Sequence, residues 1–311
     1  STASGYKSTA ADNSTASGYG SSAFNNSTAS GYSSYAANNS TASGDGSSAN
    51  NNSTATGYGS TANFNSTATG YKSAAYNAST ATGNGSYADT MSHAIGNYST
   101  AKDHSVAIGY KSYANDYGVA TGYYSKASGA SSVATGDHAY ATGDSSTATG
   151  EWSYAKGDNS TATGYQSYAS GKNSTATGNY SYATGKNSTA TGNFSYAYGN
   201  NSTATGNYSK ANTNSTATGN YAYALGKNST ATGNDSHAYG DNSTASGNKS
   251  SATGDNSTAS GNKSTASGDN STATGNNSTA YGDKSTATGN HSYAKGDNST
   301  ASGNQSSAYG D

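Results

Sequence analysis

One short pattern runs along the whole chain, and its period limits what the chain can fold into. Half-units of the form Ser-x-Ala-x-Gly-x-x follow one another at seven-residue intervals. Ser160-Thr161-Ala162-Thr163-Gly164-Tyr165-Gln166 is succeeded by Ser167-Tyr168-Ala169-Ser170-Gly171-Lys172-Asn173. The two halves alternate in character, so the true period is about 14 residues, and such self-similarity marks a stacked repeat. Through residues 1–117 the second half has six residues and usually lacks its glycine, giving nine units of 13. From 118 to 311 the units mostly have 14 residues, with one lapse at Ser209-Lys210-Ala211-Asn212-Thr213-Asn214. Glycine supplies positive φ at a turn, and Asn or Asp replaces it where the turn is tighter. The shift therefore reads as a change of turn type at one edge, within a single continuous repeat domain over 1–311. The chain opens in mid-pattern at Ser1-Thr2-Ala3-Ser4-Gly5, as a segment of a longer chain or fibre would.

Alternation within Ser-x-Ala-x is the strand period of two, and β-branched Thr favours extended backbone. A helix is excluded, because glycine or another turn residue returns every six or seven positions. The fold class is all-β: a parallel β-roll or β-solenoid of about 23 coils, with 13–14 residues and two short strands per coil. Coils stacked at ~4.8 Å would bond each strand to those above and below, giving a rod of roughly 110 Å. Parity decides what points inward. Were the x positions inside, Lys102, Lys126, Lys156, Lys210, Lys295 and Asp89 would be buried unpaired, at several kcal/mol each. Ser and Ala are inside instead, and each inner serine needs a backbone carbonyl or a neighbouring serine as partner.

Composition removes several classes. Only nine of 311 residues are Leu, Ile, Val or Phe, too few for a layered globular core. No apolar run approaches the ~20 residues of a membrane helix. There is no cysteine for a disulfide or thiolate zinc site. The 14 cationic residues are all lysine and are outnumbered by 16 acids, so no basic groove for nucleic acid exists.

The two outer faces differ. One mixes Tyr, Lys, His, Asn, Thr, Ser, Leu and Ala. The other is two columns of Thr or Ser, broken only by His93, Ile95, Val106, Ile108, Val119 and Val133. No Lys, Asp, Glu or Tyr enters them, so this face is expected to meet something flat and regular, in assembly or on ice. Its candidate contact residues are Thr147, Thr149, Thr161, Thr163, Thr175, Thr177, Thr189, Thr191, Thr203, Thr205, Val106 and Ile108. On the mixed face Tyr140, Tyr154, Tyr168, Tyr182 and Tyr196 form an aromatic row, and Tyr6, Tyr19 and Tyr32 form another at a turn edge. Tyrosines one coil apart can stack on each other, at about 0.2–1 kcal/mol per pair, or form a ridge for carbohydrate or matrix. Asn-Ser-Thr sequons recur, with Asn159, Asn173, Asn187 and Asn201 as candidate glycan acceptors, although the repeat generates them whether or not they are used.

At Ser105-Val106-Ala107-Ile108-Gly109-Tyr110-Lys111-Ser112-Tyr113-Ala114 the chain resembles the YadA-like head repeat of trimeric autotransporter adhesins. Ser92-His93-Ala94-Ile95-Gly96 is a second match, and the Asn-Ser-Thr-Ala-Thr-Gly units match with Thr in place of Ile. The resemblance implies a left-handed parallel β-roll, three chains side by side, at a bacterial surface or in a phage or virus fibre. It also implies that the columns of Val106 and Ile108 lie toward partner chains. Replacing the family's Val and Ile by Thr and Ser removes much of the apolar term, ~25 cal/mol per Å², from such a seam.

Catalysis has little to stand on. His93, His104, His138, His237 and His291 are scattered, and Asp137-His138 and Asp103-His104 lack a third convergent group. The recurring Gly-Asp-Asn, as at 157–159 and 240–242, lacks the calcium nonapeptide pattern and fits turn chemistry. No catalytic, metal or cofactor residue is assigned. The sequence supports a non-enzymatic extracellular or cell-surface fibre or adhesin segment. It is a rigid rod presenting Thr and Tyr surfaces, possessing glycan acceptors and self-associating as a homotrimer or filament, with host, matrix or carbohydrate surfaces as partners and no membrane span in this segment. The alternative is an ice-binding protein using the flat Thr-x-Thr face. A surface-anchored enzyme is the weakest reading, since the acids are spread along turn edges instead of lining a cleft.

Overall fold

A computed structural model of the chain describes residues 1–310. It is an all-β parallel β-solenoid of about 23 coils with two strands per coil, and no helix occurs among the described residues. The coils fall into two compact units, Ser1–Trp152 and Ser153 onward. Within each unit the Ser-Thr-Ala-x halves supply the strands of a first sheet and the second halves those of a second sheet. Every pairing is parallel and in register, one coil to the next. In the first unit Thr54, Ala55 and Thr56 lie opposite Thr67, Ala68 and Thr69. In the second, Thr175, Ala176 and Thr177 lie opposite Thr189, Ala190 and Thr191. The second-sheet strands are shorter, often two residues, as at Tyr168–Ala169 and Tyr182–Ala183.

The parity argument holds. Strand-centre alanines from Ala16 to Ala294 are 0–1% exposed, and the serines preceding the strands from Ser14 to Ser292 are at most 2% exposed. Lys102, Lys126, Lys156, Lys210 and Asp89 all point out of the core. A chain almost devoid of large aliphatic residues thus closes a core one methyl and one hydroxyl deep, which works because the two sheets are narrow.

The inner serines are not all satisfied as the sequence suggests. Those before second-sheet strands bond back to the glycine three residues earlier, as Ser181 Oγ does to the Gly178 carbonyl at 2.9 Å. In the 13-residue coils, those before first-sheet strands accept from the next coil, as Ser27 Oγ does from the Ser40 amide at 3.1 Å. In the 14-residue coils only some first-sheet serines find a carbonyl, for example Ser188 on Gly185 at 2.6 Å. Ser160, Ser174, Ser243, Ser257, Ser271 and Ser285 are buried with no partner for their hydroxyls among the described residues.

The turns explain the change of period. In the 13-residue coils one edge is turned by two consecutive left-handed residues, such as Asn38 (φ 57°) and Asn39 (φ 60°). In the 14-residue coils a glycine takes over and only one left-handed residue follows, as at Asn159 (φ 53°) and Asn187 (φ 55°). Sequence reasoning gives all these glycines one role, positive φ, and here the structure corrects it. Gly164 does have φ 125°, and a Cβ there would also lie 2.6 Å from the Gly178 oxygen. Gly185 on the opposite edge has no positive φ, but any Cβ on it would overlap the carbonyl of Gly199 in the next coil. That glycine is required by close approach of backbones, not by conformation.

Two consequences can be measured by denaturant unfolding. Ser181→Ala removes a made hydrogen bond and should cost about 1 kcal/mol. Ser257→Ala relieves a buried unpartnered hydroxyl and should be neutral or stabilising by up to about 1 kcal/mol. Gly185→Ala, by contrast, forces backbone apart and should cost about 3 kcal/mol or more.

Candidate functional site

Because strands pair in register, each outward residue stands above its own counterpart, and surface chemistry comes in columns. The candidate Thr residues lie at the outward positions of first-sheet strands. In the second unit Thr161 and Thr163, Thr175 and Thr177, Thr189 and Thr191, and Thr203 and Thr205 flank fully buried alanines and face outward, half-buried or exposed. In the first unit Thr147 and Thr149 do the same on Thr147–Thr149.

Val106 and Ile108 lie on the first-sheet face of the first unit, within an apolar patch that the pairing assembles. Val106 stands between His93 and Val119, Val119 opposite Val133, and Ile95 opposite Ile108. Ile95 is 43% and Ile108 39% exposed, high values for isoleucine on a regular sheet. Each other strand of this face in the first unit carries Thr or Ser at its outward positions.

The aromatic row is also brought together, with a geometry the sequence does not reveal. In the second unit Tyr154–Tyr168 and Tyr168–Tyr182 are tilted pairs with ring centroids 6.2 and 6.0 Å apart. Tyr182–Tyr196 is stacked at 5.2 Å, and Tyr198 stacks on Tyr196 at 5.4 Å. Tyr140 belongs to the first unit, opposite Lys126 in the neighbouring strand. Only Tyr182, Tyr196 and Tyr198 are stacked face to face in this row. Burial raises the phenol pKa of Tyr196, Tyr198, Tyr223 and Tyr239 above the usual value, with neighbouring tyrosines or Asp235 adding to it.

A further aromatic column escaped the sequence reading. Tyr180, Phe194, Tyr208 and Tyr221 occupy left-handed turn positions and stack at 4.8, 4.9 and 5.0 Å with planes within 7°. In the first unit Tyr124, His138 and Trp152 stack at 5.2 and 4.1 Å. In these coils the signal was present as an aromatic two residues after the first-half glycine, as at Gly178-Asn179-Tyr180 and Gly192-Asn193-Phe194. Tyr6, Tyr19 and Tyr32, one position earlier, stack at 5.1 and 5.2 Å.

Three of the five histidines are used as aromatic plates. His138 stacks as above with Nδ1 2.5 Å from Asp137, His104 stacks on Tyr117 at 4.8 Å, and His237 on Tyr223 at 5.0 Å. The Gly-Asp turns have a definite structural task. The amides of Asp241, Asp255, Asp269 and Asp283 donate to the carboxylate of the aspartate one coil on, at 2.8–2.9 Å.

Asn159, Asn173, Asn187 and Asn201 are all left-handed, a conformation Asn tolerates well. The Asn173 side-chain nitrogen donates to Asn187 at 3.1 Å, Asn187 to Asn201 at 3.0 Å and Asn201 to Asn214 at 3.1 Å. The nitrogen to which a glycan would attach is thus already engaged in a ladder at these three positions.

The raised phenol pKa values give a pH dependence. A phenol whose folded pKa exceeds its unfolded value of about 10 contributes stability that is present below pH 10 and lost as pH rises through the folded pKa. Tyrosinate absorbance should therefore show a late-titrating fraction, and thermal stability should fall only above about pH 10. Tyr196→Phe should remove part of both effects.

The family model described as the YadA head domain repeat (2 copies) matches residues 102–125, 115–139, 127–150, 141–167, 155–181, 183–209, 211–236, 238–264, 266–292 and 294–311. No curated protein matches the chain. The matched stretches run from the last 13-residue coil through the 14-residue coils, most of which carry both glycines, while the coils before residue 102 share the strands and pairing and lack the second glycine. With the repeat matched over more than half its length and folded as a two-stranded parallel solenoid, the chain belongs to the YadA head repeat family.

Proposed function

We propose that this chain is a non-enzymatic, adhesin-like structural segment of an extracellular or cell-surface fibre, which self-associates and displays repetitive polar and aromatic columns. The YadA head repeat matched along it supports an adhesin-like segment. The observation that carries the assembly reading is the apolar patch on the first unit's first sheet. Ile95 and Ile108 project from a face otherwise made of hydroxyls, flanked by Val106, Val119 and Val133. Water contact there is unfavourable by ~25 cal/mol per Å², and the cheapest cover for a self-complementary patch is the same patch on another copy. The partner on this reading is another copy of this chain, and the trimeric arrangement suggested by the YadA head family makes it a second and third copy. The tyrosine edges on the second sheet remain available for host, matrix or carbohydrate surfaces. Where the rings are stacked, as at Tyr182 and Tyr196, they would contact a sugar through hydroxyls more than by ring stacking. Glycan addition is confined to acceptors outside the continuous Asn ladder.

Sedimentation equilibrium tests the assembly. A mass near three times the 30.6 kDa chain is expected. The double variant Ile95→Ser with Ile108→Ser should weaken association at least about tenfold, on the loss of about 1.5–3 kcal/mol per buried isoleucine. A single-chain mass for the unaltered protein would refute self-association through this patch.

A further inference from the structure

The second unit's first sheet differs from the patch just described. Its eleven strands run from Thr161–Thr163 to Thr300–Ser302, and both outward columns are threonine throughout except for Ser246, Ser260 and Ser302. No aliphatic, aromatic or charged side chain interrupts them. The charged residues of this unit lie on turns or the second sheet, as Lys210 does. The hydroxyls of this face are also unengaged. Among the described residues none of them bonds to another group of the chain, whereas the edge asparagines and edge aspartates bond from coil to coil.

We propose that this face binds crystalline water, so that the chain adsorbs to ice and restrains its growth. The face offers a two-dimensional lattice. Along the stack it repeats at ~4.8 Å and across each strand at roughly 7 Å. The stacked turn rings of Tyr180, Phe194 and Tyr208, at 4.8 and 4.9 Å, measure the same coil spacing. Both repeats lie close to the oxygen spacings of hexagonal ice.

Three further properties suit a crystal rather than a soluble partner. The β-branched side chains have few χ1 choices, so the lattice is stiff before contact and little entropy is lost on binding. Each rung pairs a methyl, which leaves its first-shell water ordered, with a hydroxyl that anchors it. A carboxylate or ammonium would hold its own hydration shell against the lattice, and none is present. Individual contacts are weak, but a rigid array must release all of them together, so adsorption grows steeply with the number of rungs.

The seam proposed above rests on residues of the first unit, so the two ideas fail separately. Thermal hysteresis and the shape of ice crystals would be measured with four forms of the full chain: unaltered, Ile95→Ser with Ile108→Ser, Thr175→Lys with Thr189→Lys and Thr203→Lys, and Tyr182→Ser. Hysteresis and faceted crystals are expected from the first, second and fourth, and loss of both from the triple lysine variant with circular dichroism unchanged. Absence of hysteresis from both the unaltered chain and the isoleucine variant overturns the proposal, whatever their mass. Full activity in a folded triple lysine variant, or equal loss in Tyr182→Ser, also overturns it. Should the triple variant not fold, Thr189→Val keeps the shape and removes a single hydroxyl, and stacking it with Thr175→Val and Thr203→Val gives the same comparison without added charge.

Discussion

The in-register backbone ladder between successive coils governs everything else in this protein. The Thr175 amide donates to the Ser188 carbonyl at 2.9 Å and the Gly178 amide to the Thr163 carbonyl at 2.8 Å, and the pattern repeats coil by coil within each unit. Register makes each side chain the neighbour of its own counterpart about 4.8 Å away. Residue choice is therefore a question of what tolerates its own company. Aromatic rings gain by it and stack with planes within a few degrees. Asn amides gain because one end donates and the other accepts. Like charges lose about 0.8 kcal/mol at ~5 Å in water. The aspartate column offsets this because each carboxylate also accepts a backbone N–H, a charge-assisted bond worth about 1.5–3 kcal/mol.

With such a ladder the core can be slight. Alanine methyls and serine hydroxyls exclude water between two narrow sheets, and wider side chains would push the sheets apart. Glycines at the edges follow from the same compactness. At Gly185 the next coil's carbonyl occupies the space of a side chain, so the stack reaches strand spacing even at its corners. Unpartnered hydroxyls such as Ser257 show the cost of a repeat. One residue type is copied into every coil, and a change of turn from two left-handed residues to glycine leaves some copies without the acceptor they had.

Much of this was legible in the sequence because the repeat offers many trials of each position. Six charged residues at the x positions decide which parity faces inward, and 23 coils give the columns directly. What a single column does with its neighbours is not legible. Tyr182 and Tyr196 stack while Tyr154 and Tyr168 tilt, although their local sequences match, because ring orientation follows from neighbours such as Tyr198. The two roles of glycine also look alike in sequence, since a positive φ and a close approach both forbid Cβ. The stacked turn column was missed because tyrosine and tryptophan at left-handed positions run against local preference, which the stacking overrides.

The difference between the two units' first-sheet faces follows from how a repeat adds up. A preference of about 0.2–0.5 kcal/mol per coil is negligible once, but over eleven coils it amounts to several kcal/mol. A column can therefore hold a surface with contacts individually too weak to detect, provided the surface repeats with the same period. Threonine columns suit such a partner, because an interruption costs both its own contact and the flatness of its neighbours. The isoleucines and valines of the first unit work by the opposite principle, concentrating apolar area in four strands where a few large contacts suffice. A partner that covers the patch needs only to match those strands. A partner that covers the hydroxyl lattice must be as regular as the protein itself, and few surfaces besides a crystal or another copy of this chain meet that condition.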